Sequence, residues 1–277
     1  MRLKGNEVSQ KILEDTAQIL RQLHRASKLC IVRFGSDAAD LSYQNSIIKK
    51  CDSVGVNVQV AAFGADITSA DFMRRFRELN ASPEIDGILV LRPIPKQIDA
   101  DKMQDALCAK KDIDCIGNLG LGSVFVGDGK SFAPCTAQAV MEILKHYQVD
   151  LCGKHAVILG RSLVVSKPLA MMLLEQNATI TICHSKTKNL CRITREADIL
   201  ISAIGHPKFV DSRYVNKDMV VIDVGINTDE NGKICGDIDF DSVEPIVSSI
   251  TPVPGGVGAV TTAILIRNTV LAASKST

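Results

Sequence analysis

Segments of helical and strand periodicity alternate along most of the chain, the arrangement that yields parallel sheets flanked by helices. Apolar residues at Val8, Ile12, Leu13, Leu20 and Leu23 form a helical stripe across residues 7–24. Leu29 to Gly35 (LCIVRFG) reads as a buried strand, residues 43–53 as a helix, and Val56 to Phe63 (VNVQVAAF) as a strand with period-two alternation. Together they predict a β-α-β unit. A polar-faced helix over residues 70–80 leads to Gly87–Pro95 (GILVLRPIP), a strand ended by prolines that cannot continue a central ladder. That end matters, because ligands of open α/β sheets bind beyond the carboxyl ends of strands.

From Lys130 the pattern changes, and a domain hinge is placed there. SFAPCTAQAVMEILKHY predicts a loop ending at Thr136, read as the N-cap of a long apolar helix. A strand over 155–159 then runs into Gly160, Arg161 and Ser162, with a helix from about Ser166 to Pro168 onward. Such a turn presents backbone N–H groups and a helix N-terminus to a phosphate. Taken alone it is a weak signal, since G-x-S-x-x-x-S lacks the later glycines of the dinucleotide fingerprint. The next strand, Ala178 to Cys183, ends in His184, Ser185, Lys186 and Thr187 with no carboxylate. An NAD site usually places Asp or Glu there; Arg161, Ser185 and Lys186 would instead suit the 2′-phosphate of NADP. His184 is read as a packing or capping residue. Two further strands, in ADILISAIG and MVVIDVGIN, complete a Rossmann-type reading.

Composition narrows the classes. The 277 residues favour two domains, and 46% hydrophobic with 23% charged residues exclude disorder. Thirty-two basic against 31 acidic residues, few aromatics and no Trp argue against nucleic-acid partners, so any anion site must be local. No secretory h-region and no uncharged apolar run of about 18 residues is evident, which predicts no membrane partner and a cytoplasmic location. Nine cysteines scattered from Cys30 to Cys235 without a CxxC pair support neither a disulfide framework nor a metal site.

PCT at Pro134–Thr136, GRS and VVSKP at Gly160–Pro168, NATITICHSKT at Asn177–Thr187, DVGIN at Asp223–Asn227 and TPVPGGVGAVT at Thr251–Thr261 closely resemble the methylenetetrahydrofolate dehydrogenase/methenyltetrahydrofolate cyclohydrolase family. The resemblance spans nearly the whole chain. It implies a homodimer of two-domain α/β subunits, with residues 1–136 plus 265–277 forming a folate-binding catalytic domain and 137–264 a Rossmann NADP domain across a cleft. It further implies NADP contacts from Thr136, Gly160, Arg161, Ser162, Ser185 and Ile226. Folate would be bordered by Tyr43, Val90, Leu91, Asp114 and the run Pro254, Gly255, Gly256, Val257 and Gly258, with Tyr43 and Asp114 as the catalytic residues. Asp114 would hold the amino and amide edge of the pterin.

The implied chemistry is hydride transfer from 5,10-methylenetetrahydrofolate to the nicotinamide, then hydration of the methenyl cation to 10-formyltetrahydrofolate. Hydration requires a proton handler of tuned pKa, which the family supplies as Lys four residues after the Tyr, assisted by a Gln in a VQLP-like strand end. Here those positions are Ile47 and Leu91, with Arg92 following. Cys115 replaces a glycine after Asp114, and GAVT replaces GPMT. Lys50 returns to the face of Tyr43, but lies about 10.5 Å along the helix against about 6 Å for the missing position. Arg92 is a poor base and better suited to an anionic part of the folate. The expectation is an NADP-dependent dehydrogenase with cyclohydrolase activity weak or lost. The alternatives are a fully bifunctional enzyme and a non-catalytic NADP- or folate-binding paralogue.

Overall fold

A computed structural model describes residues 1–23 and 25–275; the end of the expected stripe at residue 24 and the last two residues of the expected 265–277 segment lie outside them. The chain divides into two compact units, one of Met1–Gln10 with Thr136–Thr261, the other of Lys11–Cys135 with Thr262–Thr277. The break falls between Cys135 and Thr136. The first ten residues group with the later part of the chain: Leu3 N–H donates to Ile250 O at 2.8 Å and Gly5 N–H to Gly255 O at 2.8 Å. These backbone bonds leave no periodicity in the sequence, which is why residues 1–10 were expected elsewhere.

The unit of residues 11–135 and 262–277 is built on β1 (Lys28–Phe34), β2 (Asn57–Phe63) and β3 (Gly87–Val90), all parallel in the order β2-β1-β3. Helices α1 (Gly5–Arg21), α2 (Ala38–Val54), α3 (Ser69–Ala81), α4 (Ala100–Ala106) and α5 (Asn118–Val126) punctuate it. Helix α2 starts five residues before the expected 43, because Asp37 caps it by accepting from Ala39 N–H and Asp40 N–H. The strand expected to reach Pro95 ends at Val90, although Leu91 N–H still donates to Val32 O at 2.9 Å. Cys30, Val32 and Phe34 of β1 face one core with Ile88, Val90, Phe63, Phe72 and Phe76. There the phenyl rings meet at centroid separations of 5.1 to 6.0 Å. Helices α4 and α5 were not foreseen: one spans seven residues and the other is apolar without a stripe.

In the other unit a five-stranded parallel sheet runs in the order β10-β7-β6-β4-β5. Its strands are β4 (His155–Leu159), β5 (Thr179–Cys183), β6 (Ile199–Ser202), β7 (Val220–Asp223) and β10 (Ser249–Ile250). A two-residue hairpin of β8 (Asn227–Thr228) and β9 (Ile234–Cys235) is separate. Its helices are α6 (Cys135–His146), α7 (Ser166–Glu175), α8 (Leu190–Arg195) and α9 (Phe240–Val243), and the chain ends in α10 (Val257–Ser274). Thr136 is not the N-cap of α6. The helix begins at Cys135, whose N–H donates to the Asp114 carboxylate at 3.1 Å, so an acceptor distant in sequence satisfies the first turn. Helix α10 is long and apolar enough to cross a membrane, but it is mostly buried in the protein and carries Arg267. Five of the nine cysteines are buried, whereas Cys108 and Cys152 are exposed.

Candidate functional site

All six residues expected to meet NADP lie in the unit of the five-stranded sheet. Strand order reverses at β4, with β5 on one side and β6 on the other, and the carboxyl ends at such a reversal are where open α/β sheets bind ligands. Gly160 follows β4 at φ +119° and donates its N–H to Cys183 O at 2.9 Å. A Cβ at Gly160 would lie 2.5 Å from Ala203 O and 2.7 Å from Ser166 Oγ. Both the backbone angle and the space therefore require glycine. Ser162 Oγ then accepts from Val165 N–H at 3.1 Å and Ser166 N–H at 3.4 Å, which folds the chain into α7. Ser166 Oγ is buried with no hydrogen-bond partner among the described residues. The register pairs Leu159 with Cys183, so the loop after β5 runs beside this turn. In that loop His184 N–H donates to Thr187 Oγ1 at 2.9 Å, while its Nδ1 accepts from Lys186 N–H at 3.2 Å. His184 is thus a turn-closing residue, and Ser185, Lys186 and Arg161 stand exposed. A glycine approach, the start of a helix and a carboxylate-free cationic rim fit a phosphorylated dinucleotide.

Ile226 reaches this unit's surface on a braced loop. Asp223 accepts from Gly225 N–H (2.9 Å), Asp237 N–H (3.0 Å) and Ile238 N–H (3.0 Å). Asp237 in turn accepts from Ser202 Oγ, Ile204 N–H, His206 N–H and Asn227 Nδ2. Burial pushes the Asp223 carboxyl up to about 7, against the three N–H donors. The result is a rigid base from which Ile226 projects 69% exposed. A Cβ on Gly258 would sit 3.3 Å from its Cδ1, so the DVGIN loop and the PGGVG run meet. The close approach permitted by Gly256 is to the chain itself: a Cβ there would meet Pro252 O at 2.4 Å, and Gly256 O fills the space beside Gly5.

The other unit brings Tyr43, Asp114, Cys135 and Thr262 together. Tyr43 shares a hydrogen bond with Thr262, and desolvation of its hydroxyl raises the phenol pKa, with Asp114 and Cys135 adding to the shift. Asp114 takes the Cys135 N–H and also bonds the Cys135 thiol; burial raises its carboxyl, and Arg92 opposes that rise from a distance. Cys135 is held in place by Ile113 O at 3.3 Å, and Asn268 Nδ2 donates to the same carbonyl at 2.9 Å. Cys115 adopts φ +53°, the left-handed region that a glycine enters freely. No pattern in the sequence marks Cys135, Thr262 and Asn268; only the fold brings them beside Asp114. Ile47 is 0% exposed and Leu91 6%, so hydrocarbon fills both positions that the resemblance assigns to polar groups. Lys50 is half-buried, which lowers its amine pKa, and Arg92 is exposed.

A reversed-order parallel sheet with a glycine turn and a carboxylate-free cationic rim defines a dinucleotide-binding α/β protein. Residues 3–114 match the family model for the tetrahydrofolate dehydrogenase/cyclohydrolase catalytic domain, and residues 134–277 match that for its NAD(P)-binding domain. The chain belongs to the tetrahydrofolate dehydrogenase/cyclohydrolase family. It is 47% identical over 277 residues to the bifunctional protein FolD of Clostridium botulinum strain Langeland, covering 99% of this chain and 98% of that one. Among solved structures, the bifunctional FolD of Campylobacter jejuni superposes with a TM-score of 0.96 at 38% identity, covering 99% of each chain. The Trypanosoma brucei enzyme, complexed with NADP cofactor and inhibitor, gives 0.94 at 30% identity over 100% of this chain and 98% of that one.

Proposed function

We propose that the chain oxidises 5,10-methylenetetrahydrofolate to the 5,10-methenyl compound with NADP, and that hydration of the product is weak or lost. The dinucleotide, when bound, supplies the hydride acceptor. The chain's own residues bind and orient: the Gly160–Ser162 turn and α7 receive the phosphates, while Arg161 and Ser185 hold the 2′-phosphate. Asp114, fixed by Cys135, grips the polar edge of the pterin, and Tyr43, steadied by Thr262, lines the reacting end. One observation carries the weak-hydration reading: Ile47 and Leu91 are buried hydrocarbon where water activation calls for a titratable side chain. A spectroscopic assay tests the first step. Protein with methylenetetrahydrofolate and NADP should form NADPH and the methenyl chromophore together, more efficiently than with NAD. Absence of turnover with both nucleotides would leave a non-catalytic binding protein.

A second reading, the fully bifunctional enzyme, is favoured by the names of the relatives and by the half-buried Lys50, whose amine pKa is lowered by desolvation. Under it, Lys50→Ala abolishes hydration; under the first, that change leaves hydration at the buffer rate. Homodimerisation and a cytoplasmic location carry over from the resemblance and the composition, and light scattering of the purified chain checks the former.

A further inference from the structure

Arg33 is a cation buried without a counter-ion. It lies at the penultimate position of β1 and is only 9% exposed. Its Nε donates to Gln44 Oε1 at 2.9 Å and its Nη1 to Gly35 O, both neutral acceptors. Among the described residues no carboxylate comes within ion-pair distance of it. Burying a charge is expensive unless it is paired, so such a group points to a missing anion. Its place in the fold points the same way. Strand β1 is the centre of the sheet, with β2 on one side and β3 on the other, so its carboxyl end is the switch point of this unit.

Alternation along β1 turns Arg33 away from the core that takes Cys30, Val32 and Phe34, and toward α2, where Gln44, Ile47 and Cys51 are buried. The pairing of Val32 with Val90 continues one step through Leu91 N–H to Val32 O, which sets Leu91 abreast of Arg33. Arg33 and Gln44 thus stand beside the two apolar positions, as a polar pair displaced from them by one strand and one helical turn. Gln44, 8% exposed, spends its carbonyl on Arg33, which leaves its amide as a donor next to the guanidinium. Two adjacent donor groups carrying one positive charge match a planar anion with two oxygens and one negative charge, and the hydrocarbon of Ile47 and Leu91 disfavours a dianionic phosphate.

We infer that Arg33 and Gln44 form a carboxylate-binding site at the carboxyl end of β1. Its occupant is either a free small carboxylate or the carboxylate of a larger ligand, and only the latter source rests on the folate reading above. Thermal melting of the full chain in sodium formate, sodium acetate or p-aminobenzoylglutamate, against sodium chloride at matched ionic strength, tests the site. A saturable rise in Tm with formate or acetate assigns a free acid; a rise with p-aminobenzoylglutamate alone assigns the larger ligand. Arg33→Met should weaken the half-saturating concentration at least about tenfold. Gln44→Glu places a carboxylate inside the protein, and should raise Tm in chloride while abolishing the response to added acids. The inference is overturned if no carboxylate gives a saturable rise, or if Gln44→Glu keeps the full response. No turnover is needed, so failure here and failure of the dehydrogenase reading are separate results.

Discussion

The turn after β4 and the end of β1 hold equivalent places, each at the point where the strand order of a parallel sheet reverses, yet the recognition proposed for each rests on different groups. After β4 the backbone does the work: Gly160 at φ +119°, a serine that folds the chain into α7, and the first N–H groups of that helix. After β1 side chains must do it, and there Ile47 and Leu91 are apolar while Arg33 and Gln44 carry the polarity. The difference teaches which features can move. A position where any Cβ would lie 2.5 Å from a neighbouring carbonyl oxygen accepts one residue type, whereas a polar group can be supplied from a neighbouring strand or helix turn.

The sharpest way to break the contrast is at the turn. Gly160→Ala forces a methyl toward Ala203 O and strains a positive φ, and should weaken NADPH binding by about 100-fold with about 1–3 kcal/mol lost in stability; fluorescence titration and urea melts read both. In the other unit, Asp114→Asn keeps shape but removes the charge that orders Cys135 and is assigned to the pterin, and kcat/KM for methylenetetrahydrofolate should fall by about 30-fold. Wild-type kcat/KM in that variant would remove Asp114 from the site. Arg161→Ala is smaller still: KM for NADP should rise about tenfold, with KM for NAD unchanged. Equal changes for both nucleotides would mean that Arg161 does not read the 2′-phosphate.

The smallest effect is the ionisation of Asp223 behind Ile226. Its folded pKa of about 7 lies above the ordinary Asp value near 4. The folded state therefore holds a proton that the unfolded state releases, and this group's contribution is fully present below about pH 4 and lost as pH rises through 7. The Asp223 carboxyl carbon should titrate near 7 by NMR; a midpoint near 4 would show that the three N–H donors outweigh burial.

The same contrast explains what was legible in the sequence. Strands β4, β6 and β7 and the Gly160 turn were readable because apolar runs leading into glycine specify both the sheet and the place where a ligand of such a sheet binds. At β1 the apolar run was readable, and a charge inside LCIVRFG was the available signal for Arg33, but its partner Gln44 emerges only from the packing of α2. The capping of α6 by Asp114, the grouping of Met1–Gln10 and the hydrogen bond between Tyr43 and Thr262 depend on contacts between residues far apart in sequence. Periodicity holds no record of such contacts. Helix α5 escaped because apolar residues such as Leu119, Phe125 and Val126 are exposed, so no amphipathic stripe exists to be read.

Whether the hydrocarbon at Ile47 and Leu91 separates oxidation from hydration, as proposed, is read out most directly by the decay of methenyltetrahydrofolate in the presence of purified protein. Decay is expected at the buffer rate, with acceleration only in the Ile47→Lys/Leu91→Gln double variant. Acceleration by the unaltered protein would contradict the proposed separation and establish the bifunctional reading.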